Sequence, residues 1–157
     1  MKIGVLTISD RSSAGERADE GGPLVGEIIA KIGEVAVTAV VPDDVEAIVH
    51  ALSAWADAGT IDLIITTGGT GLGPRDVTPE ATKKVIEREA PGIAEAMRAA
   101  GLEKTPFAAL SRQVAGTRGA TLIVNVPGSL KAIREGLEAV LEVLPHAVEM
   151  MHGASPA

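Results

Sequence analysis

Apolar residues recur along the chain with two periods, and this alternation predicts strands and helices in turn. Short apolar runs predict strands at about residues 2–9, 35–41, 62–65 and 121–126. Apolar residues at helical spacing predict helices at about residues 23–32, 45–58, 79–89, 92–100 and 129–144, with Pro145 restarting a last short helix. Strands that alternate with helices favour a three-layer α/β fold, in which a mostly parallel central sheet carries helices on both faces.

The ends of several elements are marked by capping and breaking residues. Asp43 or Asp44 is expected to cap the helix of residues 45–58, and Gly59 to end it. Thr78 is expected to be an N-cap, with Pro79 at the first helical position. Residues 105–119 have the weakest pattern; we interpret them as a short helix followed by a strand at about residues 113–116.

Length and composition are typical of a compact enzyme domain. No Pro-, Gly- or Ser-rich linker divides the 157 residues, so residues 1–157 are predicted to form a single domain. There are no cysteines, which excludes a disulfide framework and a thiolate metal site. The N-terminus enters a strand at once, unlike a signal peptide, and no apolar run approaches the roughly 20 residues that cross a bilayer. We therefore expect a cytoplasmic protein without a membrane partner.

Charge and aromatic content argue against nucleic acid as a partner. The net charge is −7, with one Trp, one Phe and no Tyr, whereas nucleic acids call for basic surfaces and aromatic platforms. A small phosphorylated ligand remains compatible with this composition. Its charge can be met locally by glycine-loop amides and by four basic side chains near predicted loops or helix ends: Arg11, Arg75, Arg112 and Lys131.

The stretch TTGGTGLGPRDVTPEAT, residues 66–82, joins a buried strand to a helix start. Its glycines, Gly68, Gly69, Gly71 and Gly73, are expected to permit positive φ and to bring backbone N–H groups close to a ligand. Arg75 is suited to pair with phosphate, and Asp76 to hold a cation that a triphosphate brings. The alternative is a surface turn closed by an Arg–Asp pair.

This loop is neither a P-loop, since it lacks the Gly-Lys-Ser/Thr ending, nor a dinucleotide fingerprint after the first strand. It resembles instead the signature of the molybdopterin adenylyltransferase family of molybdenum-cofactor biosynthesis, which is similar to the adenylylating domain of gephyrin-type proteins. Four further segments resemble that family in the same order along the chain: Ile8-Ser9-Asp10-Arg11, Val41-Pro42-Asp43-Asp44, Leu110-Ser111-Arg112-Gln113 and Asn125-Val126-Pro127-Gly128.

Loops that follow parallel strands lie at one edge of a sheet, so several of these segments are expected to converge. Asp43 and Asp76, which follow different strands, are the candidate carboxylates for a divalent cation bridging a triphosphate. The alternative for Asp43 is a purely structural role as the cap of the helix beginning at Val45.

The resemblance implies a reaction and roles for individual residues. It implies that Asp43 and Asp76 support catalysis by binding Mg²⁺ and organising ATP, while AMP is joined to the terminal phosphate of molybdopterin and pyrophosphate is released. Ser111 would help to place the pterin. The predicted substrate-binding residues are Ser9, Asp10, Gly68, Gly69, Thr70, Gly71, Arg75, Ser111, Asn125, Pro127, Gly128 and Ser129.

The resemblance also implies a homotrimer and handover of the product to a molybdate-insertion protein. The alternative function is a non-catalytic molybdopterin-binding carrier or assembly protein on the same scaffold. The presence of both Asp43 and Asp76 favours the enzyme.

Overall fold

A six-stranded sheet forms the middle layer of the computed structural model, which describes residues 1–154. Its strands are β1 (Lys2–Ile8), β2 (Glu34–Val41), β3 (Leu63–Thr67), β4 (Arg88–Glu89), β5 (Ala115–Arg118) and β6 (Thr121–Val126). They lie in the order β2-β1-β3-β6-β5-β4. The four strands β2, β1, β3 and β6 are parallel, whereas β5 runs antiparallel to β6 and β4 antiparallel to β5.

Seven α-helices and one 3₁₀ helix connect these strands in the described part of the chain. The helices are α1 (Asp10–Ser13), α2 (Gly21–Ile29), α3 (Val45–Asp57), α4 (Thr78–Val85), α5 (Pro91–Leu102), α6 (Leu130–Val140) and α7 (Val143–Met151), and the 3₁₀ helix is Pro106–Leu110. None of them is long and apolar enough to cross a membrane.

The core is split by the sheet into two apolar clusters. Alternate residues of β3 point to opposite faces, so Leu63 and Ile65 join one cluster and Ile64 the other. The first cluster packs against α2, α5, α6 and α7, and the second against α3 and α4. This arrangement confirms the predicted three-layer α/β fold with a mostly parallel sheet.

Several predicted boundaries differ from the observed ones. The helix expected over residues 79–89 ends at Val85, because Ile86 is extended and β4 then pairs with β5. The strand expected at residues 113–116 lies at Ala115–Arg118, two residues later. The helix expected at residues 23–32 is Gly21–Ile29, and the short α1 has no counterpart among the predicted elements.

Capping follows the sequence in one helix and departs from it in another. Asp44 caps α3, since its carboxylate accepts a hydrogen bond from Ala47 N at 2.9 Å. Thr78 is not an N-cap: it is the first residue of α4, and its buried hydroxyl donates to Gly68 O at 2.9 Å. The prediction for Thr78 was wrong because this long-range bond to the glycine turn replaces local capping.

Candidate functional site

The loops that follow β1, β2, β3 and β6 meet at one edge of the sheet, which we call the candidate site. Two backbone hydrogen bonds hold neighbouring strand ends together there: Ser9 N donates to Val41 O at 2.9 Å, and Gly68 N donates to Val126 O at 3.1 Å. Segments far apart in sequence are therefore adjacent in space, as the parallel topology predicts.

Residues 68–76 follow β3, and we call them the glycine turn. Gly68 and Gly69 form the sharp bend at its start. Their φ angles are 103° and 70°, in the region that side chains disfavour. A Cβ at Gly68 would lie 2.3 Å from Ile8 O, and a Cβ at Gly128 would lie 3.3 Å from Gly68 Cα. The absence of side chains thus lets the ends of β1, β3 and β6 approach one another closely.

Gly71 and Gly73 serve a different purpose from the one expected, because neither has a positive φ. At each of them a Cβ would lie 2.9 Å from Asp76 Oδ2. The same oxygen accepts a hydrogen bond from Gly73 N at 2.9 Å. These two glycines therefore leave space for the Asp76 carboxylate, which is hydrogen-bonded to the backbone of the turn.

Asp43 lies against the same turn at Gly69 and is half-buried just after the end of β2. Its Oδ2 accepts a hydrogen bond from Asp10 N at 2.9 Å. Its Oδ1 lies 3.0 Å from the position that a Gly69 Cβ would occupy. Burial raises the pKa of Asp43, and the negative charges of Asp10 and Asp76 add to that increase.

Asp10 and Arg75 connect the loop after β1 to the glycine turn. The Arg75 guanidinium donates from Nε to Asp10 Oδ2 at 3.0 Å and from Nη2 to Asp10 Oδ1 at 3.1 Å. The hydrogen bond from Arg75 lowers the pKa of Asp10. The pair is solvent-exposed and joins two loops, whereas the alternative drawn from the sequence had Arg75 and an aspartate closing a single turn.

The carboxylates of Asp43 and Asp76 are suited to a magnesium ion whose other ligands are water and substrate phosphates. Both face the glycine turn, and the charge of Asp76 reaches Asp43 strongly enough to contribute to its raised pKa. Within residues 1–154 no group of three or more His, Cys, Asp or Glu side chains could hold a metal. Mg²⁺ commonly uses one or two carboxylates together with water and substrate phosphates, so two carboxylates satisfy its requirements.

Thr70 and Ser111 join the glycine turn to the segment after the 3₁₀ helix. Their hydroxyl oxygens lie 3.2 Å apart, and the Ser111 hydroxyl also donates to Gln113 Oε1. A cavity of about 240 Å³ opens beside Ser111, with walls that are mainly apolar. Its lining, which defines the Ser111 cavity, includes Met97, Arg98, Phe107, Ser111, Gln113, Pro127, Ser129 and Glu135.

A second cavity, also of about 240 Å³, lies across the strand ends. We call it the Gly68 cavity; its lining includes Ser9, Ser12, Arg17, Gly21, Gly68, Gly128 and Ser129. Ser129 therefore borders both cavities. Four of the predicted substrate-binding residues (Ser9, Gly68, Gly128 and Ser129) border the Gly68 cavity, and three (Ser111, Pro127 and Ser129) border the Ser111 cavity.

Several of the predicted residues also have structural contacts of their own. Ser9 and Ser129 are N-caps of α1 and α6, and Pro127 O accepts a hydrogen bond from Thr67 Oγ1 at 2.8 Å. Asn125 is fully buried, with its amide donating to Thr66 and Thr82 hydroxyls, each at 3.0 Å. Its carbonyl oxygen accepts from Val114 N at 3.2 Å, so its side chain is committed to the interior and does not reach the cleft.

Arg112 lies at the candidate site in a way that the sequence did not indicate. It was expected to meet substrate charge, but its guanidinium faces the backbone of the glycine turn and the Glu80 side chain. No spacing rule predicts this contact, because Arg112 and Glu80 are 32 residues apart. The nearest signal was its position beside Ser111 in a motif that resembles the family.

Sequence and structure comparisons place the chain among molybdopterin-binding domains. Residues 4–146 match the family described as "Probable molybdopterin binding domain". The chain is 43% identical to the molybdopterin adenylyltransferase of Helicobacter pylori strain J99, over 98% of this chain and 89% of that protein. It is 45% identical to gephyrin of Dictyostelium discoideum over 96% of this chain.

A solved structure shows the same fold. The molybdopterin biosynthesis enzyme MoaB of Thermus thermophilus superimposes with a TM-score of 0.91 at 54% identity, over 99% of this chain and 98% of that one. The chain belongs to the molybdopterin-binding domain family. It spans only 22% of the length of the Dictyostelium gephyrin and 26% of the Drosophila melanogaster protein cinnamon, which is 40% identical to it.

Proposed function

We propose that the protein is a molybdopterin adenylyltransferase. A terminal phosphate oxygen of molybdopterin attacks the α-phosphorus of ATP, and the bond between that phosphorus and the β-phosphate oxygen breaks. The products are adenylylated molybdopterin and pyrophosphate. The names of the bacterial relatives support this assignment, since the chain covers most of their length.

The observation that carries the proposal is that two carboxylates lie against the same glycine turn. Asp43 Oδ1 lies against Gly69, and Asp76 Oδ2 lies against Gly71 and Gly73. Adenylyl transfer depends mainly on positioning and on neutralising the charge of the triphosphate. Two carboxylates held against one glycine turn serve both requirements.

Each part of the candidate site has a task in this reaction. Asp43 and Asp76 would hold Mg²⁺, which would neutralise phosphate charge when bound. Gly68 and Gly69 let the ends of β1, β3 and β6 approach one another, and the exposed Arg75 supplies positive charge for the triphosphate. Ser111 orients the pterin in the Ser111 cavity, which Pro127 also borders, while Gly128 borders the Gly68 cavity and Ser129 borders both.

The test is to incubate the protein with molybdopterin, ATP and Mg²⁺ and to measure adenylylated pterin and pyrophosphate. Formation of both in equal amounts, and only when Mg²⁺ is present, is the expected result. Binding of molybdopterin without product would instead favour a carrier or assembly protein on the same scaffold. Omission of Mg²⁺ in a parallel sample tests the metal dependence separately.

The proposal extends to assembly and location. We propose a homotrimer in the cytoplasm that passes its product to a molybdate-insertion protein. Sedimentation velocity tests the oligomeric state directly, because a trimer of the 16.0 kDa chain is well separated from a monomer. Retention of the adenylylated product on the protein until an insertion protein is added tests the handover.

A further inference from the structure

Arg112 contacts two backbone carbonyls of the segment between β3 and α4 and one side chain of α4. Its Nε donates to Gly71 O at 2.8 Å, and its Nη2 donates to Asp76 O at 2.9 Å. Nη1 and Nη2 both donate to the Glu80 carboxylate, at 2.5 and 3.2 Å. These bonds use most of the donor groups of the guanidinium, which leaves no fork to grip a phosphate.

The backbone of Arg112 adds a further contact to the same segment. Arg112 N donates to Thr70 O at 2.7 Å. The preceding residue, Ser111, contacts the Thr70 side chain, and the carbonyls of Ser111 and Gln113 both accept hydrogen bonds from Arg98 on α5. The segment carrying Arg112 is therefore anchored to α5 on one side and to the glycine turn on the other.

These contacts bear directly on Asp76. The turn from Gly71 to Asp76 is largely exposed, and its internal bonds, between Gly73 and Asp76, are short-range. The Arg112 guanidinium donates hydrogen bonds to the carbonyls at the two ends of that turn, Gly71 O and Asp76 O. A planar guanidinium fixes the separation of the two carbonyls, and so the direction in which the Asp76 side chain leaves the backbone.

We propose that Arg112 is a positioning residue that holds Asp76 in its metal-binding orientation, and that it acts through the carbonyls of Gly71 and Asp76. The proposal rests on the proposed function only in assigning Asp76 to the nucleotide-bound cation. The Glu80 ion pair is secondary, since both partners are partly exposed and such pairs contribute little to stability. Its role is to orient the guanidinium.

The test compares Arg112→Gln and Arg112→Lys with wild type. Two readouts require no turnover: amide hydrogen exchange at Gly73 and Asp76 by NMR, and titration of the protein with Mg²⁺ in the presence of ADP. In Arg112→Gln both amides should exchange faster and the apparent Mg²⁺ affinity should fall about 10- to 100-fold, the usual effect of losing a residue that orients a metal ligand. Arg112→Lys should resemble Arg112→Gln, because lysine keeps the charge but not the fork.

Arg118 provides a matched control. It also donates a fork to a carboxylate, that of Asp57, and one hydrogen bond to a helix carbonyl, Val85 O, and its exposure is similar. Arg118→Gln should leave the exchange of Gly73 and Asp76 and the Mg²⁺ affinity unchanged. Glu80→Gln should change the Mg²⁺ affinity by only a small factor, because the carbonyl contacts remain.

Two outcomes would overturn the proposal. One is an Arg112→Gln protein with wild-type amide exchange and Mg²⁺ affinity; the other is full rescue by lysine, which would assign the effect to charge alone. Failure of the proposed function would be a separate result. The wild-type protein would then form no adenylylated pterin, but amide exchange and Mg²⁺ affinity would still distinguish the Arg112 variants from wild type. Where transfer is observed, Arg112→Gln should lower kcat at subsaturating Mg²⁺ and recover as Mg²⁺ is raised.

Discussion

Asp10 and Asp43 each bind the backbone of the other. The Asp43 carboxylate accepts from Asp10 N at 2.9 Å, and the Asp10 carboxylate accepts from Asp43 N at 3.0 Å. The exchange ties the loop after β1 to the loop after β2. Because one oxygen of Asp43 is used in this way, the other is left pointing at the glycine turn.

This relationship separates the metal-binding role proposed for Asp43 from a purely structural one. Asp43→Asn keeps an oxygen that accepts from Asp10 N but removes the charge. We expect thermal stability to change little, because Asp44 caps α3 independently, while adenylyl transfer falls about 100-fold or more through loss of electrostatic support. Melting temperature and initial rate, measured on the same preparation, check both expectations.

Asp44→Ala is the matched control and should do the reverse. It removes the side chain that accepts from Ala47 N, at a cost of about 1 kcal/mol in unfolding free energy, with activity per folded molecule retained. An Asp43→Asn protein that still transfers AMP at the wild-type rate would remove Asp43 from the proposed mechanism.

Asp76→Asn should lower turnover far more than pterin binding. The carboxylate is seated in the glycine turn away from the Ser111 cavity, so molybdopterin should still bind, whereas kcat should fall on the order of 100-fold. Pterin fluorescence titration and single-turnover kinetics measure the two quantities. Weak pterin binding combined with normal turnover at saturation would contradict this role.

Gly69 offers a test of the turn itself. In Gly69→Ala the new Cβ would lie 2.3 Å from Thr78 Oγ1 and 3.0 Å from Asp43 Oδ1, and the backbone has φ 70°. Gly59→Ala is the control, because Gly59 has φ 75° with nothing within 4 Å of the added atom. In both variants the strained backbone costs about 1–2 kcal/mol. Gly69→Ala should lose more stability than Gly59→Ala, because its Cβ fits only if Thr78 moves, and it alone should lose nucleotide binding. Equal nucleotide affinity in both would show that the turn has no ligand.

The three layers and the mostly parallel sheet follow from patterns in the sequence, whereas the strand order was not predicted. Buried runs such as Leu63–Thr67 and Thr121–Val126 are continuous and β-branched, as strands covered on both faces require. The end of α4 was not predictable, because Arg88 and Glu89 are good helix formers that instead pair with β5. That competition is decided by tertiary pairing rather than by local propensity.

The candidate site also has features that the sequence could predict and contacts that it could not. The glycines and the two aspartates stand out by residue type, so their convergence at the strand ends could be predicted. The partners of Arg75, Arg112 and Thr78 could not, because each contact joins residues 10 to 65 positions apart. Asn125 was expected at the site because its segment resembles the family, and its position on the predicted strand did not show that its side chain would be buried among Thr66 and Thr82.

Asn125 gives a prediction that distinguishes an interior role from a substrate contact. Asn125→Ala would leave the hydroxyls of Thr66 and Thr82 and the Val114 N–H without their present partner in the interior. We expect a loss of about 2–4 kcal/mol in unfolding free energy, since buried unsatisfied groups are costly. Urea unfolding measures this loss; unchanged stability with a raised KM for molybdopterin would instead indicate a direct substrate contact.

The pKa of Asp43 provides the last prediction. Burial raises it above the ordinary value of 3.8, and the negative charge of Asp76 raises it further, so the folded protein binds the Asp43 proton more tightly than the unfolded chain. In the window just above pH 3.8 this group therefore reduces stability as pH rises, opposite to Asp10 and Glu80, whose pKa values are lowered by arginine partners. NMR titration should show a lower Asp43 pKa in Asp76→Asn than in wild type. Addition of Mg²⁺ and ADP should also lower the Asp43 pKa in wild type, since the cation and the proton compete for one carboxylate. If neither Asp76→Asn nor Mg²⁺ with ADP changes the Asp43 pKa, the two aspartates do not share a cation site.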